Sequence, residues 1–149
     1  MSNQLEVIEH DGKMIALIVR SEYAQPGIHF LTPAEYSQQL ACMYYPPGKE
    51  IPAHVHNPAQ RDVTYTLEVL FIRRGKLRVD LYDDTQVYLE SRILAAGDVI
   101  FLASGGHGFE VLEELDMIEV KQGPYSGDND KTRFVPTRPT VLTIRGARG

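Results

Sequence analysis

His54-Val55-His56 is the first feature of this sequence that could do chemistry. In an extended segment, residues i and i+2 point to the same side, so both imidazoles would project into one space. Two imidazoles so placed can grip a divalent metal, although exposed histidine pairs also arise by chance. Glu68 heads the run Glu68-Val69-Leu70-Phe71-Ile72, whose neighbours are apolar on both faces. A carboxylate there is costly to bury unless a cation holds it. The cation is either a metal or, at a rim, Arg61 or Arg73. His107 sits in Ser104-Gly105-Gly106-His107-Gly108-Phe109. Glycines on both sides let the backbone bend and approach another group closely. The plainer reading is a turn histidine bonded to backbone. Together the four side chains offer three neutral nitrogen donors and one hard anion. That set suits iron, nickel, manganese, cobalt or zinc, without choosing among them.

Short strands separated by turns must position these residues. Leu5 to Ile8 and Met14 to Val19 flank Asp11-Gly12, a hairpin signal. Thr32-Pro33-Ala34-Glu35-Tyr36 predicts one helical turn, with Thr32 as its cap and Pro33 first inside. Leu40 to Tyr45 and Ile51 to Val55 read as strands. Thr64 to Arg73 and Lys76 to Tyr82 read as a hairpin over Arg74-Gly75. Asp83-Asp84-Thr85 turns into Val87 to Leu94, and Ala96-Gly97-Asp98 into Val99 to Leu102. Ser104-Gly105-Gly106 turns into Phe109 to Leu112, and Glu113-Glu114 leads to Met117 to Lys121. The expectation is an all-β sandwich or closed barrel. Beyond Gly123-Pro124 the chain turns polar. Val141 to Ile144 is expected as an added edge strand, and the final Arg-Gly-Ala-Arg-Gly as a mobile end.

At the same residues the chain resembles the cupin superfamily. Gly48 precedes His54-x-His56 as in the first cupin motif, and Glu68 is followed by Gly75. The second motif starts at Gly97 and reaches His107, with Phe109 after it. The resemblance implies a cupin-type jelly-roll β-barrel over about residues 40–121, within one domain spanning 1–149. N-terminal strands at 3–20 and an extension at 123–149 flank it. It implies a divalent metal on His54, His56, Glu68 and His107. The long gap between His56 and Glu68 implies an inserted loop, Asn57 to Thr66, at the barrel mouth. Ala103 stands where the second motif usually has proline, and Val111 where it often has asparagine. The Gly-Gly-His-Gly-Phe and Lys121-Gln122-Gly123-Pro124-Tyr125 segments are similar to those of small bacterial cupins encoded beside surface-polysaccharide or nucleotide-sugar genes. That context suggests a setting and no reaction.

Composition narrows the partners. Of 149 residues, 43% are hydrophobic, enough for a packed core. The net charge of -5 argues against a nucleic-acid footprint, which needs a basic face. Arg73, Arg74, Lys76 and Arg78 cluster around an expected turn, and Arg145 and Arg148 near the end, so both groups read as solvated surface. The one cysteine, Cys42, allows no internal disulfide and reads as an inert thiol. The first residues lack the pattern of a secretory leader, and Met14 to Val19 is too short to span a bilayer. These features predict a cytoplasmic protein with no membrane partner. Apolar N-terminal strands, able to cross to a partner barrel, predict a homodimer. His10 and His29 fall outside both motifs and read as surface histidines. Tyr44, Tyr45, Phe71 and Phe101 read as core or barrel lining.

The function expected is a metal-dependent enzyme, isomerase or oxygenase, on a small polar molecule, with a sugar or nucleotide-sugar derivative in view. Substrate candidates are Arg61, as an anion clamp or a partner of Glu50 or Asp62; Tyr44; and Lys121, as half of an acid–base pair with Glu119 or part of a solvated stripe. The alternatives are a metal-independent sugar epimerase or isomerase, and a non-catalytic binding module. An epimerase calls for a His–Asp dyad, and none is legible in the sequence.

Overall fold

In the computed structural model, which describes residues 3–149, Asp11 and Gly12 take positive φ angles of 49° and 74°. That pair forms the tight turn which matches strand twist, and it joins β1 (Leu5–His10) to β2 (Lys13–Val19) as expected. Met1 and Ser2, the start of the segment read as lacking a leader, lie outside the described residues. The chain forms two compact units. One comprises the residues up to Tyr23 with Thr66–Gly149, and the other is Ala24–Tyr65. Both are β-structured, and the sole helical element among the described residues is the 3-10 turn η1 (Gly127–Asp130). Among the described residues, no helix is long and apolar enough to cross a membrane.

The first unit is built around β5 (Glu68–Tyr82), with β6 (Tyr88–Ala95), β7 (Val99–Leu102), β8 (Gly106–Lys121) and β9 (Ile144–Arg145). The sheet runs β1-β2-β7-β5-β6-β9, and β8 lies along the other edge of β5. Here the expected hairpin over Arg74-Gly75 is corrected, because β5 continues through it. Residues 68–71 pair with β7 and residues 76–82 pair with β6, while β8 follows the whole length. Gly75 makes the change of partner possible. Its φ is +89°, and a Cβ there would stand 2.0 Å from the Glu114 carbonyl oxygen. The register is irregular on both sides of it, so the strand bulges and bends rather than reversing. The expected break at Glu113-Glu114 is absent for the same reason, since those residues oppose the bulge.

The basic cluster read as turn surface is a cross-strand ladder. Arg73 meets Asp116 at 3.5 Å, Arg74 Glu114 at 3.5 Å, Lys76 Glu113 at 2.8 Å and Arg78 Glu110 at 2.7 Å. Opposite charges facing across a ladder favour this register over its neighbours. Beneath it, Leu70, Ile72, Leu77, Val79, Leu81, Leu94 and Ile100 pack with Ile8, Ile15 and Ile18 into one core. Phe101 is buried as expected, whereas Phe71 and Tyr44 are exposed and line nothing.

Residues 145–149, expected to be mobile, are docked. Arg148 donates to both oxygens of the fully buried Asp98, at 2.9 and 3.2 Å. The Ala147 N–H donates to Glu6 at 2.9 Å. Glu6 and Asp98 also share Arg20, at 2.8 and 3.0 Å, and Arg92 joins Glu6 to Glu90. Burying so many charges is tolerable because each meets an opposite one. The expected edge strand at Val141 to Ile144 is shorter and later, with Ile144 and Arg145 paired parallel to Ser91 and Arg92.

In the second unit, β3 (Gly27–Phe30) pairs antiparallel with β4 (Ala41–Tyr44). The helical turn expected at Thr32 is a loop instead. Thr32 Oγ1 accepts from the Leu40 N–H at 3.1 Å and donates to Gln39 at 3.0 Å. Its hydroxyl therefore closes the loop across to Leu40 instead of capping a helical turn. Ile51 to Val55 is exposed and forms no strand. No partner strand satisfies its backbone, which stays irregular through residue 65.

Candidate functional site

Glu68 opens β5 opposite Lys121, while His107, near the start of β8, stands opposite Leu81. On a flat ladder, thirteen residues of separation would hold them roughly 40 Å apart. The sheet curls instead, and His107 Nε2 lies 3.3 Å from Glu68 Oε2. The bend at Gly75 falls midway along this path. The Glu68 carboxylate is mostly buried and the His107 ring partly so, with that ring against Phe109 at 5.3 Å between centroids. The hydrogen bond from His107 holds the Glu68 carboxyl below the ordinary carboxylate range. Burial opposes it, and the charges of His107, Lys121 and Lys131 reinforce it.

The pair lies in a pocket of about 610 Å³, wholly within the first unit. Its wall consists of Thr66, Glu68, Tyr82, Gly105 to Phe109, Asp130 to Phe134 and Pro136. A volume of that order suits a small molecule. Phe134 meets Tyr82 edge to face at 5.1 Å. Lys121 pairs with Asp130, which also accepts from Thr66 at 3.0 Å and Ser126 at 3.3 Å. Lys121 is thus engaged with Asp130, while Glu119 beside it on β8 is exposed. Arg73, one of the partners considered for Glu68, pairs with Asp116 instead.

His54 and His56 belong to the second unit, where their rings approach edge to face at 5.2 Å. The convergence expected of a strand is met here in an irregular segment. His54 Nδ1 lies 2.9 Å from the Pro52 carbonyl oxygen. As a donor it leaves Nε2 with a free lone pair. Arg61 donates to the Ala59 carbonyl at 3.3 Å and forms no ion pair with Glu50 or Asp62 among the described residues. Tyr44 is an exposed residue of β4. Among the described residues, no group of three or more His, Cys, Asp or Glu side chains gathers in a form that could hold a metal ion.

Two things escaped the sequence reading. A histidine–carboxylate dyad exists, made with Glu68 rather than an aspartate. Lys131, Thr132, Arg133 and Phe134 form one side of the pocket, and no periodicity or motif marks them in an otherwise polar extension. No family model matches the chain, and no curated protein or solved structure matches it.

Proposed function

We propose that the chain is a metal-binding, cupin-type enzyme acting on a small polar molecule in the pocket beside Glu68 and His107. The observation that carries this reading is the 3.3 Å approach of Glu68 Oε2 and His107 Nε2. Donors at adjacent positions around a divalent ion, with bonds of about 2.1 Å, lie roughly 3.0–3.4 Å apart. The pair fits that spacing. An ionised Glu68 carboxylate supplies the anionic oxygen donor that a divalent ion needs. His54 suits the same role, because a histidine tied through one ring nitrogen to a backbone carbonyl presents the other to a metal. The cupin resemblance completes the ligand set with His54 and His56, and iron, nickel, manganese, cobalt or zinc suits it.

Such an ion would supply Lewis acidity toward a carbonyl or hydroxyl. The chain's own residues do the rest. Tyr82, Phe109 and Phe134 supply apolar wall, and Thr132 offers a hydroxyl to orient a polar substrate. Elemental analysis of the purified protein tests the reading. Near-stoichiometric metal in the wild type and near-complete loss in His54→Ala/His56→Ala are expected. Full metal content in the variant contradicts it.

The dyad itself favours a second reading, a metal-independent epimerase or isomerase. Glu68 would orient His107, and the imidazole would move the proton. Turnover that survives exhaustive chelation would select this reading over the first.

A further inference from the structure

We propose that the pocket beside Glu68 and His107 takes an anionic ligand, whose phosphate or carboxylate is anchored by Lys131 and Arg133. This rests on the reading that the pocket receives a small polar molecule, and it adds the substrate class.

The argument begins with charge. The carboxylates on the pocket wall already have partners: Glu68 has His107, and Asp130 has Lys121, Thr66 and Ser126. Lys131 and Arg133 line the same pocket and form no ion pair among the described residues. The wall therefore holds two cationic groups outside any ion pair, of which Lys131 also acts on Glu68 at longer range. A guanidinium and an ammonium on one pocket wall suit an oxyanion, Arg through two parallel N–H bonds and Lys as a point charge.

Exposed cations on a free loop would mean little, but this segment is pinned at both ends. At one end Asp130 is fixed by Lys121 on β8 and by Thr66 just before β5. At the other, Phe134 packs against Tyr82 and lies over Gly106. A Cβ at Gly106 would come within 3.2 Å of the Phe134 ring. The two cations lie between these anchors, on either side of Thr132, and all three exposed residues border the pocket. Pinning the flanking residues limits the backbone freedom that the segment would lose on binding. Phe109 and Phe134 leave apolar surface for the body of the ligand.

The test is calorimetric titration of the protein as purified with three probes: glucose 6-phosphate, glucuronate and glucose. They share a hexose body and differ in the oxyanion. Both anions should bind at least tenfold more tightly than glucose, and their affinity should fall as salt rises. Lys131→Gln/Arg133→Gln should bring both anions to the level of glucose, with metal content unchanged. Binding of only one anion identifies the source of the oxyanion and upholds the anchor. Equal binding of glucose and the anions, no binding of any probe, or unchanged anion affinity in the double variant each overturns it. The proposed metal function can fail separately: discrimination that persists in metal-free protein upholds the anion site and removes the metal from it.

Discussion

Gly75→Ala tests the bend that brings Glu68 and His107 together. Alanine at a φ of +89° is in a region L-residues avoid, a strain of about 1–2 kcal/mol. The new methyl would also stand 2.0 Å from the Glu114 carbonyl oxygen, which belongs to backbone and cannot swing aside. Relieving that contact means moving β8 against β5, at a further cost of about 1–3 kcal/mol. Gly12→Ala is the matched control. Its φ is +74°, and nothing lies within 4 Å of the added carbon, so it meets the strain without the clash. Chemical denaturation followed by circular dichroism should give Gly75→Ala a loss of about 2–5 kcal/mol and Gly12→Ala a loss of about 1–2 kcal/mol. The Gly75 variant should also bind metal more weakly, because the strand halves carrying Glu68 and Leu81 no longer close at the same angle. Equal losses for the two variants would refute the bend as a close-packed feature of the fold.

Arg148→Ala removes two hydrogen bonds from the buried Asp98 but leaves it Arg20 and the Ser21 and Ala95 N–H groups; a loss of about 1–3 kcal/mol in denaturant titration is expected, and none would mean the docked segment contributes nothing. Burial raises the pKa of Asp98, Glu6 and Asp80, but hydrogen bonds outweigh it and leave all three lowered: from Arg148, Ala95, Ser21 and Arg20 for Asp98, from Arg20 and Ala147 for Glu6, and from Arg78, Ser91 and Arg138 for Asp80. Their stabilisation is therefore fully present above the unfolded carboxylate range, at about pH 4, and is lost as pH falls through the lower folded values. Melting temperature should fall steeply below that range and less steeply in Arg148→Ala; parallel curves would contradict the assignment. β1 has an outer edge unpaired among the described residues and an exposed Val7, so sedimentation should show a dimer that Val7→Lys weakens, and a monomeric wild type would end that expectation.

Features set by local chemistry were legible in the sequence. Asp11-Gly12 specifies its turn through backbone conformation alone, and the turns at Asp83 to Thr85 and at Ala96 to Asp98 lead into β6 and β7 as read. What failed depends on distant residues. Arg74-Gly75 carries a reversal signal, yet the same glycine serves a bulge when acids on another strand face the bases around it. Those acids, Glu113 and Glu114, looked like a turn because charge without a visible partner suggests solvent. Arg148 looked frayed for the same reason, since its partner Asp98 is fifty residues away. Thr32 and Pro33 satisfy the rules of a helix start, but one turn has too few hydrogen bonds to outweigh a loop closed by the Thr32 hydroxyl. At the site, donor types were readable from Glu68 and His107 individually. Their contact was not, because it needs the curl of a fifteen-residue strand.

The proposed metal site stands on Glu68 and His107. The direct measurement is calorimetric titration of divalent metal into apo wild type, apo Glu68→Gln and apo His107→Gln, with circular dichroism confirming the fold. Glu68→Gln keeps the size and a weak oxygen donor while removing the charge that offsets the ion. Both variants should bind at least tenfold more weakly than the wild type. Affinities equal to the wild type in both would contradict the account and leave the dyad as a proton-transfer pair.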